Sequence, residues 1–178
     1  MEVIVYGLAV FGIYQIFERF QAYRRKKYWK KNDIKDVENQ KRFVTQEDLY
    51  KQKLMNKSEY RVFQVLENWI SSHSEFGYRL FSQVSIGEYM KSSRSNSPAY
   101  SSINSKRVDF LIIDPYGEAL LAIEYQGSGH NQNNARDRDE VKALAHKNAG
   151  IKLLEIFDGE DETGIKNKVN AEIGVNTA

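Results

Sequence analysis

Two apolar runs separated by a short turn signal constrain the fold of this 178-residue chain more than any other feature. The first run reads RVDFLIID, the second reads ALLAIEY, and the sequence Pro-Tyr-Gly-Glu at positions 115–118 lies between them. Proline fixes φ and glycine permits the backbone of a tight turn, while the runs are rich in residues that favour strands. The pattern therefore predicts an antiparallel β-hairpin.

Hydrophobic periodicity predicts further elements on both sides of the hairpin. Ser58 can cap a helix whose apolar side chains recur at helical spacing as far as Ile70. The segment YRLFSQVSI after Gly77 has strand composition, residues 133–149 return to helical spacing, and IKLLEIF supplies a last strand. Residues 92–105 contain seven serines and predict a flexible loop. The predicted order is helix, strand, strand, strand, helix, strand, an α/β (α+β) fold with a mixed sheet.

Composition fits one folded domain with an appendage. Apolar residues make up 41% of the chain and charged residues 28%, which suffices for a core and argues against disorder throughout. The absence of cysteine excludes a disulfide framework, a thiolate nucleophile and any zinc site built on cysteine. We predict an anchor with its basic flank at residues 1–31, a polar linker at 32–57, the folded domain at 58–157 and a tail at 158–178 that either forms a short helix or is disordered.

The N-terminal segment has the pattern of a membrane anchor. Residues 3–17 carry no charge, aromatic residues follow, and the basic sequence RRKK comes next at positions 24–27. Because this order is typical of a cytoplasmic membrane face, we expect residues 3–20 to anchor the chain as a single pass. The alternative is a buried helix of a soluble protein, since the run is shorter than the roughly 20 residues of an ordinary membrane helix and contains Gln15.

Charge is distributed unevenly along the chain. Residues 1–57 contain 13 Lys and Arg against 7 Asp and Glu, whereas residues 58–178 contain 13 against 17. The second part therefore has no basic coat, and any binding of nucleic acid by it must depend on a local patch or on a metal site.

Two acidic residues lie inside the apolar hairpin. Because Tyr116 and Gly117 are at the centre of the turn, the hairpin register places Asp109 opposite Glu124. Like charges at opposite positions destabilise a sheet, and a divalent cation that takes oxygen ligands from both removes the repulsion. The spacing therefore predicts a site for Mg²⁺ or a similar hard ion. The alternative for either residue alone is an ion pair at a sheet edge.

The order of elements, together with Asp109 and the sequence Glu-Tyr-Gln at 124–126, resembles the PD-(D/E)XK nuclease superfamily. The segments IEYQGSGH, ARDRDEVK and NAGIKLLEI are similar to domain of unknown function 2726, a bacterial family assigned to that superfamily. The resemblance covers about residues 55–157. It implies a restriction-endonuclease-like core, an activity that hydrolyses DNA with Mg²⁺ or Mn²⁺, and, with the anchor, a place at the bacterial inner membrane with the domain in the cytoplasm.

The resemblance also implies roles for individual residues. Metal ligands would be Asp109, Glu124 and the backbone carbonyl of Tyr125. Other catalytic contributions would come from Gln126, Glu59 and His130, and substrate contacts from Arg138 and Lys142. Arg138 and Lys142 equally fit a solvated helix face.

Gln126 departs from the superfamily pattern, in which this position is commonly lysine. An amide neither takes a proton nor supplies a positive charge, so water activation would depend more on the metal and on His130. Three functions stay open at this point. The chain is a metal-dependent nuclease, a catalytically inactive module of the same fold that binds nucleic acid or protein, or a docking domain for a membrane complex.

Overall fold

The computed structural model describes residues 2–127 and 133–175, apart from the side chains of residues 2–5, 7–10, 133–136 and 138. Contacts divide the chain into two compact units, Met1–Gln52 and Lys53–Ala178. Each unit is described separately below.

The first unit consists of two helices, α1 (Glu2–Asn32) and α2 (Val37–Gln46). Asp36 caps α2 by accepting hydrogen bonds from two backbone amides of its first turn, so the predicted linker at 32–57 contains an ordered helix. Among the helices that the structure describes, none combines the length and the apolar character needed to cross a membrane. The anchor over residues 3–20 stays a prediction.

The second unit contains the predicted order of elements with three helices added. A capping box between Asn56 and Glu59 starts the first of its helices, and a left-handed Gly117 closes the hairpin turn. The elements are α3 (Lys57–Ser72), β1 (Arg79–Ser85), α4 (Ile86–Tyr89), α5 (Pro98–Ile103), β2 (Arg107–Ile113), β3 (Ala119–Gln126), α6 (Asn133–Ala149), β4 (Lys152–Phe157) and α7 (Glu162–Ile173).

The four strands form one mixed sheet in the order β1-β2-β3-β4. The first two pairings are antiparallel, and β3 pairs with β4 in parallel across the α6 connection. In the hairpin, Phe110 pairs with Ile123 and Leu111 with Ala122, which is the register predicted from the turn. Asp109 and Glu124 are one position further along the two strands. The mixed α/β architecture is confirmed.

Each face of the sheet carries its own hydrophobic core. One core joins α3 and α7 to the sheet through fully buried Trp69, Phe110 and Ile165. The other joins α4 and α6 to the opposite face, where Leu111 and Ala122 are buried. Side chains alternate between faces along a strand, so Asp109 and Glu124 point to the face of Leu111 and Ala122. Both acidic residues therefore lie on the α6 side of the sheet.

Two segments differ from the sequence-based predictions. The serine-rich segment at 92–105, expected to be a flexible loop, includes α5, which starts with Ser97 as its cap and Pro98 in its first turn. The tail expected at 158–178 includes α7, and the side chains of Ile165 and Val169 in this helix are fully buried. The folded domain therefore continues to α7 and does not end at residue 157.

Helix α7 is also joined to α3 by a buried polar contact. The indole nitrogen of Trp69 donates a hydrogen bond of 2.6 Å to the side-chain oxygen of Asn170. Because Trp69 is 1% exposed, this bond satisfies a donor that water does not reach. The sequence pattern of the C-terminal segment is weak because its apolar positions are few.

We predict that Ile165→Ala lowers the free energy of unfolding by about 2–5 kcal/mol, because it leaves a cavity in the core between α3 and the sheet. Denaturant unfolding of the full chain measures the change. Glu162→Ala in the same helix is the control, since it removes a solvent-screened ion pair with Lys166 and one charge in the first turn and should cost less than about 1 kcal/mol. Equal effects of the two substitutions would contradict the core role of α7.

Candidate functional site

A cleft of about 570 Å³ opens on the α6 side of the hairpin. Its walls come from the start of α3, the segment that leads into β2, the ends of the two hairpin strands and the middle of α6. The residues that line it are Glu59, Ser105, Lys106, Arg107, Asp109, Glu124, Tyr125, Gln126, Asp139 and Lys142. Most of the residues that the sequence predicted for a site are therefore brought to one place.

Asp109 is held by hydrogen bonds to both of its carboxylate oxygens. The backbone amide of Tyr125 donates to Oδ2 at 2.8 Å, and the side-chain amide of Gln83 donates to Oδ1 at 3.3 Å. A carboxylate accepts about four hydrogen bonds or metal contacts, so each oxygen keeps acceptor capacity directed at the cleft. The predicted convergence of Asp109 with Glu124 is consistent with this position.

Glu124 is the buried acid of the site. It is 7% exposed, and its Oε1 lies 2.8 Å from the ammonium of Lys142, which also lies 3.2 Å from Oδ1 of Asp139. The ammonium therefore partners Oε1 in a buried ion pair. Such a pair is costly to bury, and ionisable groups held in this way are frequent at functional sites.

The charges around Glu124 are unbalanced. The pKa of its carboxyl is raised to about 7, because burial and the charges of Asp109 and Asp139 raise the pKa by more than the Lys142 ammonium lowers it. Burial alone would lower the pKa of Lys142, but the two carboxylates beside it raise its pKa above the ordinary value. Glu124 and Asp139 therefore share one ammonium, and Asp109 adds negative charge nearby, so the part of the cleft around Glu124 favours a cation.

Gln126 and Tyr125 turn partly away from the hairpin acids. The amide of Gln126 donates to Oε1 of Glu155 on the neighbouring strand β4 at 3.3 Å. The phenol of Tyr125 donates to Oδ1 of Asp158 at 2.7 Å, on the other side of the sheet. Tyr125 therefore contributes its backbone to the lining of the cleft, and the side chain of Gln126 is directed at β4.

Glu59 lines the cleft from the first turn of α3. Its Oε2 accepts a hydrogen bond of 2.9 Å from the backbone amide of Asn56, which completes the capping box. This residue therefore has a structural role in starting the helix, and it adds negative charge to the mouth of the cleft. His130 lies outside the described residues, as does the side chain of Arg138.

The family of the chain follows from its sequence. The model of the family "Protein of unknown function (DUF2726)" matches residues 51–173, which contain all the elements around the cleft. The chain belongs to the DUF2726 family. The match extends past residue 157, in agreement with the place of α7 in the core.

Two curated relatives are similar to part of this chain. An "Uncharacterized protein" of Haemophilus influenzae is 54% identical over 108 residues, which are 60% of this chain and 55% of that protein. "Uncharacterized protein y4bI" of Sinorhizobium fredii is 38% identical over 109 residues, or 61% of this chain and 77% of that protein. The chain thus spans about half the length of the first of these relatives. No solved structure matches it.

Four residues that line the cleft of this DUF2726 domain were not predicted from the sequence. Asp139 belongs to α6, while Ser105, Lys106 and Arg107 belong to the end of the serine-rich segment and the start of β2. Spacing relative to Asp109 could have identified Arg107, because residues two apart on a strand share a face. No local pattern identifies Asp139, since its approach to Lys142 depends on how α6 packs.

A buried polar pair supports the turn of α6 that carries Lys142. His146 is 1% exposed, and its Nδ1 lies 2.7 Å from the backbone carbonyl of Lys142. A carbonyl only accepts, so Nδ1 carries the hydrogen and Nε2 accepts from the hydroxyl of Tyr89 at 2.8 Å. Burial lowers the pKa of His146, whereas burial and the charge of Glu124 raise the pKa of Tyr89. Both groups therefore stay neutral near pH 7.

We predict that His146 lowers the free energy of unfolding at mildly acidic pH. The pKa of His146 is lower in the folded than in the unfolded chain, where it is about 6.5. The stability that depends on a neutral His146 is therefore complete above pH about 6.5 and is lost as the pH falls below it. Denaturant unfolding between pH 7.5 and 5.5 should show a smaller loss for His146→Gln than for the wild type.

Glu124 also titrates in this pH range and has the opposite effect on stability, but it does so in both the wild type and His146→Gln. The difference in pH dependence between these two proteins therefore reports His146. His73→Gln is the control, since His73 is only partly buried. Identical pH dependence of His146→Gln and the wild type would show that the buried imidazole is not held neutral.

Proposed function

We propose that this DUF2726 domain is a metal-dependent nuclease that hydrolyses phosphodiester bonds of DNA. The observation that carries the proposal is the buried Glu124 carboxylate, which lines one cleft together with Asp109 and is paired with the ammonium of Lys142. Carboxylates and a cation that converge in a cleft are the groups that phosphoryl transfer requires, because its transition state is stabilised mainly by charge.

The residues present fit a Mg²⁺ or Mn²⁺ ion. Among the described residues, no three acidic or histidine side chains are arranged to hold one metal ion. Mg²⁺ does not need one, because it commonly binds through one or two carboxylates and completes its shell with water and substrate phosphate. Asp109, Glu124 and the carbonyl of Tyr125 would hold the ion. When bound, it supplies Lewis-acid activation of a phosphate oxygen and of a water.

Lys142 provides the positive charge that Gln126 lacks. Its ammonium reaches Glu124 from helix α6, and its raised pKa keeps it protonated. A protonated lysine is no base, but it binds a phosphate oxygen and stabilises negative charge that develops there. The main argument for an inactive module was the absence of lysine at position 126, and Lys142 weakens that argument.

Lys106 and Arg107 are suited to hold the nucleic-acid backbone. Both line the cleft a few residues before Asp109, and neither forms an ion pair within the described part of the chain. Free cations beside a catalytic centre bind phosphates and position the strand without reading its sequence. DNA is proposed as the substrate because of the resemblance to nucleases.

The fold supports the proposed membership of the PD-(D/E)XK superfamily. The elements α3, β1, β2, β3, α6 and β4 follow the expected order, and the hairpin register brings the two motif acids to one face. The docking-domain alternative finds no comparable support in the second unit, where the acids and the cations converge on one cleft. Membrane attachment through residues 3–20 is proposed separately, on the sequence pattern alone.

We predict that Asp109→Asn and Glu124→Gln each abolish Mg²⁺-dependent cleavage by the full chain, because each removes a negative ligand while side-chain volume is kept. Lys142→Met should lower the turnover rate about 100-fold to 1,000-fold, the usual effect of removing one preorganised charge. Cleavage of single-stranded and double-stranded DNA with Mg²⁺ or Mn²⁺ measures all three variants.

Lys147→Met is the matched control, since Lys147 is exposed on the same helix and should leave cleavage unchanged. Lys142→Arg keeps the charge beside Glu124 and should retain more activity than Lys142→Met, even where the methionine variant is less stable. Absence of cleavage by the wild type across both metals and both substrates would refute the nuclease function.

We predict that Lys106→Gln and Arg107→Gln weaken DNA binding and make it less dependent on salt, because each removes one cation that displaces counterions from the phosphate backbone. Binding of the inactive Glu124→Gln chain to labelled DNA between 50 and 200 mM salt measures the slope, which should decrease by about 1 for each substitution. Lys166→Gln in α7 is the control. An unchanged slope would exclude both residues from the DNA contact.

A further inference from the structure

Gln83 has a backbone conformation that is unusual for its residue type. It lies inside strand β1 and has a φ of 55°, in the left-handed region that glycine and asparagine favour. A side chain other than these is strained there, and such strain persists only where the surrounding structure enforces it. Some interaction around Gln83 must therefore hold its backbone in this conformation.

The strand pairing does not supply that interaction. On either side of Gln83, Ser82 pairs with Phe110 and Val84 pairs with Val108. Two steps along β1 match two steps along β2, so no residue is inserted and the register is kept. A β-bulge, the usual reason for a left-handed residue in a strand, is thus absent from this stretch. The irregularity is confined to Gln83, which lies opposite Asp109.

The side chain of Gln83 reaches the acid that faces it. Its amide nitrogen donates to Oδ1 of Asp109 at 3.3 Å, while the backbone amide of Tyr125 donates to Oδ2 at 2.8 Å. One bond to each oxygen defines the plane of a carboxylate and leaves the other lone pairs free. Tyr125 alone would leave the Asp109 side chain able to rotate about its bond to Cβ.

We propose that Gln83 is a positioning residue that fixes the orientation of the Asp109 carboxylate, at the expense of a strained backbone. The consequence for metal binding rests on the proposed function of the cleft. Groups that orient a metal ligand typically contribute 10-fold to 100-fold to metal affinity. Gln83 touches neither substrate nor metal in this role, so its effect is transmitted through Asp109.

Two substitutions separate this role from a purely structural one. Gln83→Gly and Gln83→Ala both delete the amide, but only glycine relaxes the left-handed backbone. We expect Mn²⁺ affinity, measured by titration calorimetry on the metal-free full chain, to fall 10-fold to 100-fold in both. The unfolding midpoint of Gln83→Gly should be higher than that of Gln83→Ala. Cleavage lost through weak binding should return in both variants at saturating Mn²⁺.

Gln64→Ala is the matched control, because Gln64 is an exposed glutamine on α3 and should leave Mn²⁺ affinity unchanged. Wild-type affinity in Gln83→Gly would overturn the proposal. An affinity that follows the unfolding midpoint, lower in Gln83→Ala than in Gln83→Gly, would overturn it as well, since the residue would then act only through stability.

A second measurement decides the proposal without metal. In a double-mutant cycle, the shifts in unfolding midpoint caused by Gln83→Gly and Asp109→Ala should be non-additive, because the two side chains share a bond. Additive shifts would overturn the link between the residues. If the wild type binds no Mn²⁺, the proposed function loses its metal, and the cycle still decides whether Gln83 orients Asp109.

Discussion

The register of the β2–β3 hairpin is the constraint on which the site depends. Side chains alternate strictly between the two faces of a strand, so a shift by one residue would move Asp109 or Glu124 into the core beneath α3 and α7. The fully buried residues Phe110 and Ile123 prevent such a shift, because they would have to leave that same core. Ordinary hydrophobic burial therefore holds together two charges that repel each other.

Other residues of the site reduce this repulsion only in part. Burial disfavours the charged form of Glu124, and the Lys142 ammonium offsets only part of this effect because Asp109 and Asp139 add negative charge nearby. A protein selected for stability alone would replace such a group by an apolar residue of similar volume. Retention of an underbalanced acid in a buried strand is typical of a site that binds a charged ligand.

Features that depend on local pattern could be predicted from the sequence, and features that depend on packing could not. The turn at 115–118 determines the hairpin and its register, and helical spacing located α3 and α6. A short helix was one of two expectations for the C-terminal segment, but the packing of α7 in the core was not predicted, because few apolar side chains hold it there. The approach of Lys142 to Glu124 was missed because it depends on the packing of α6 on the sheet, and the strain at Gln83 because no residue pattern encodes it.

The contact between Trp69 and Asn170 has a consequence for how the protein is made. The two residues are 101 positions apart, and the core that they join needs both α3 and α7. During synthesis, α3 leaves the ribosome before α7, so the core that both helices cover stays incomplete until α7 follows. Contacts between residues so far apart in sequence form slowly. The side of the sheet beneath α3 and α7 is consequently completed only after α7 has been synthesised.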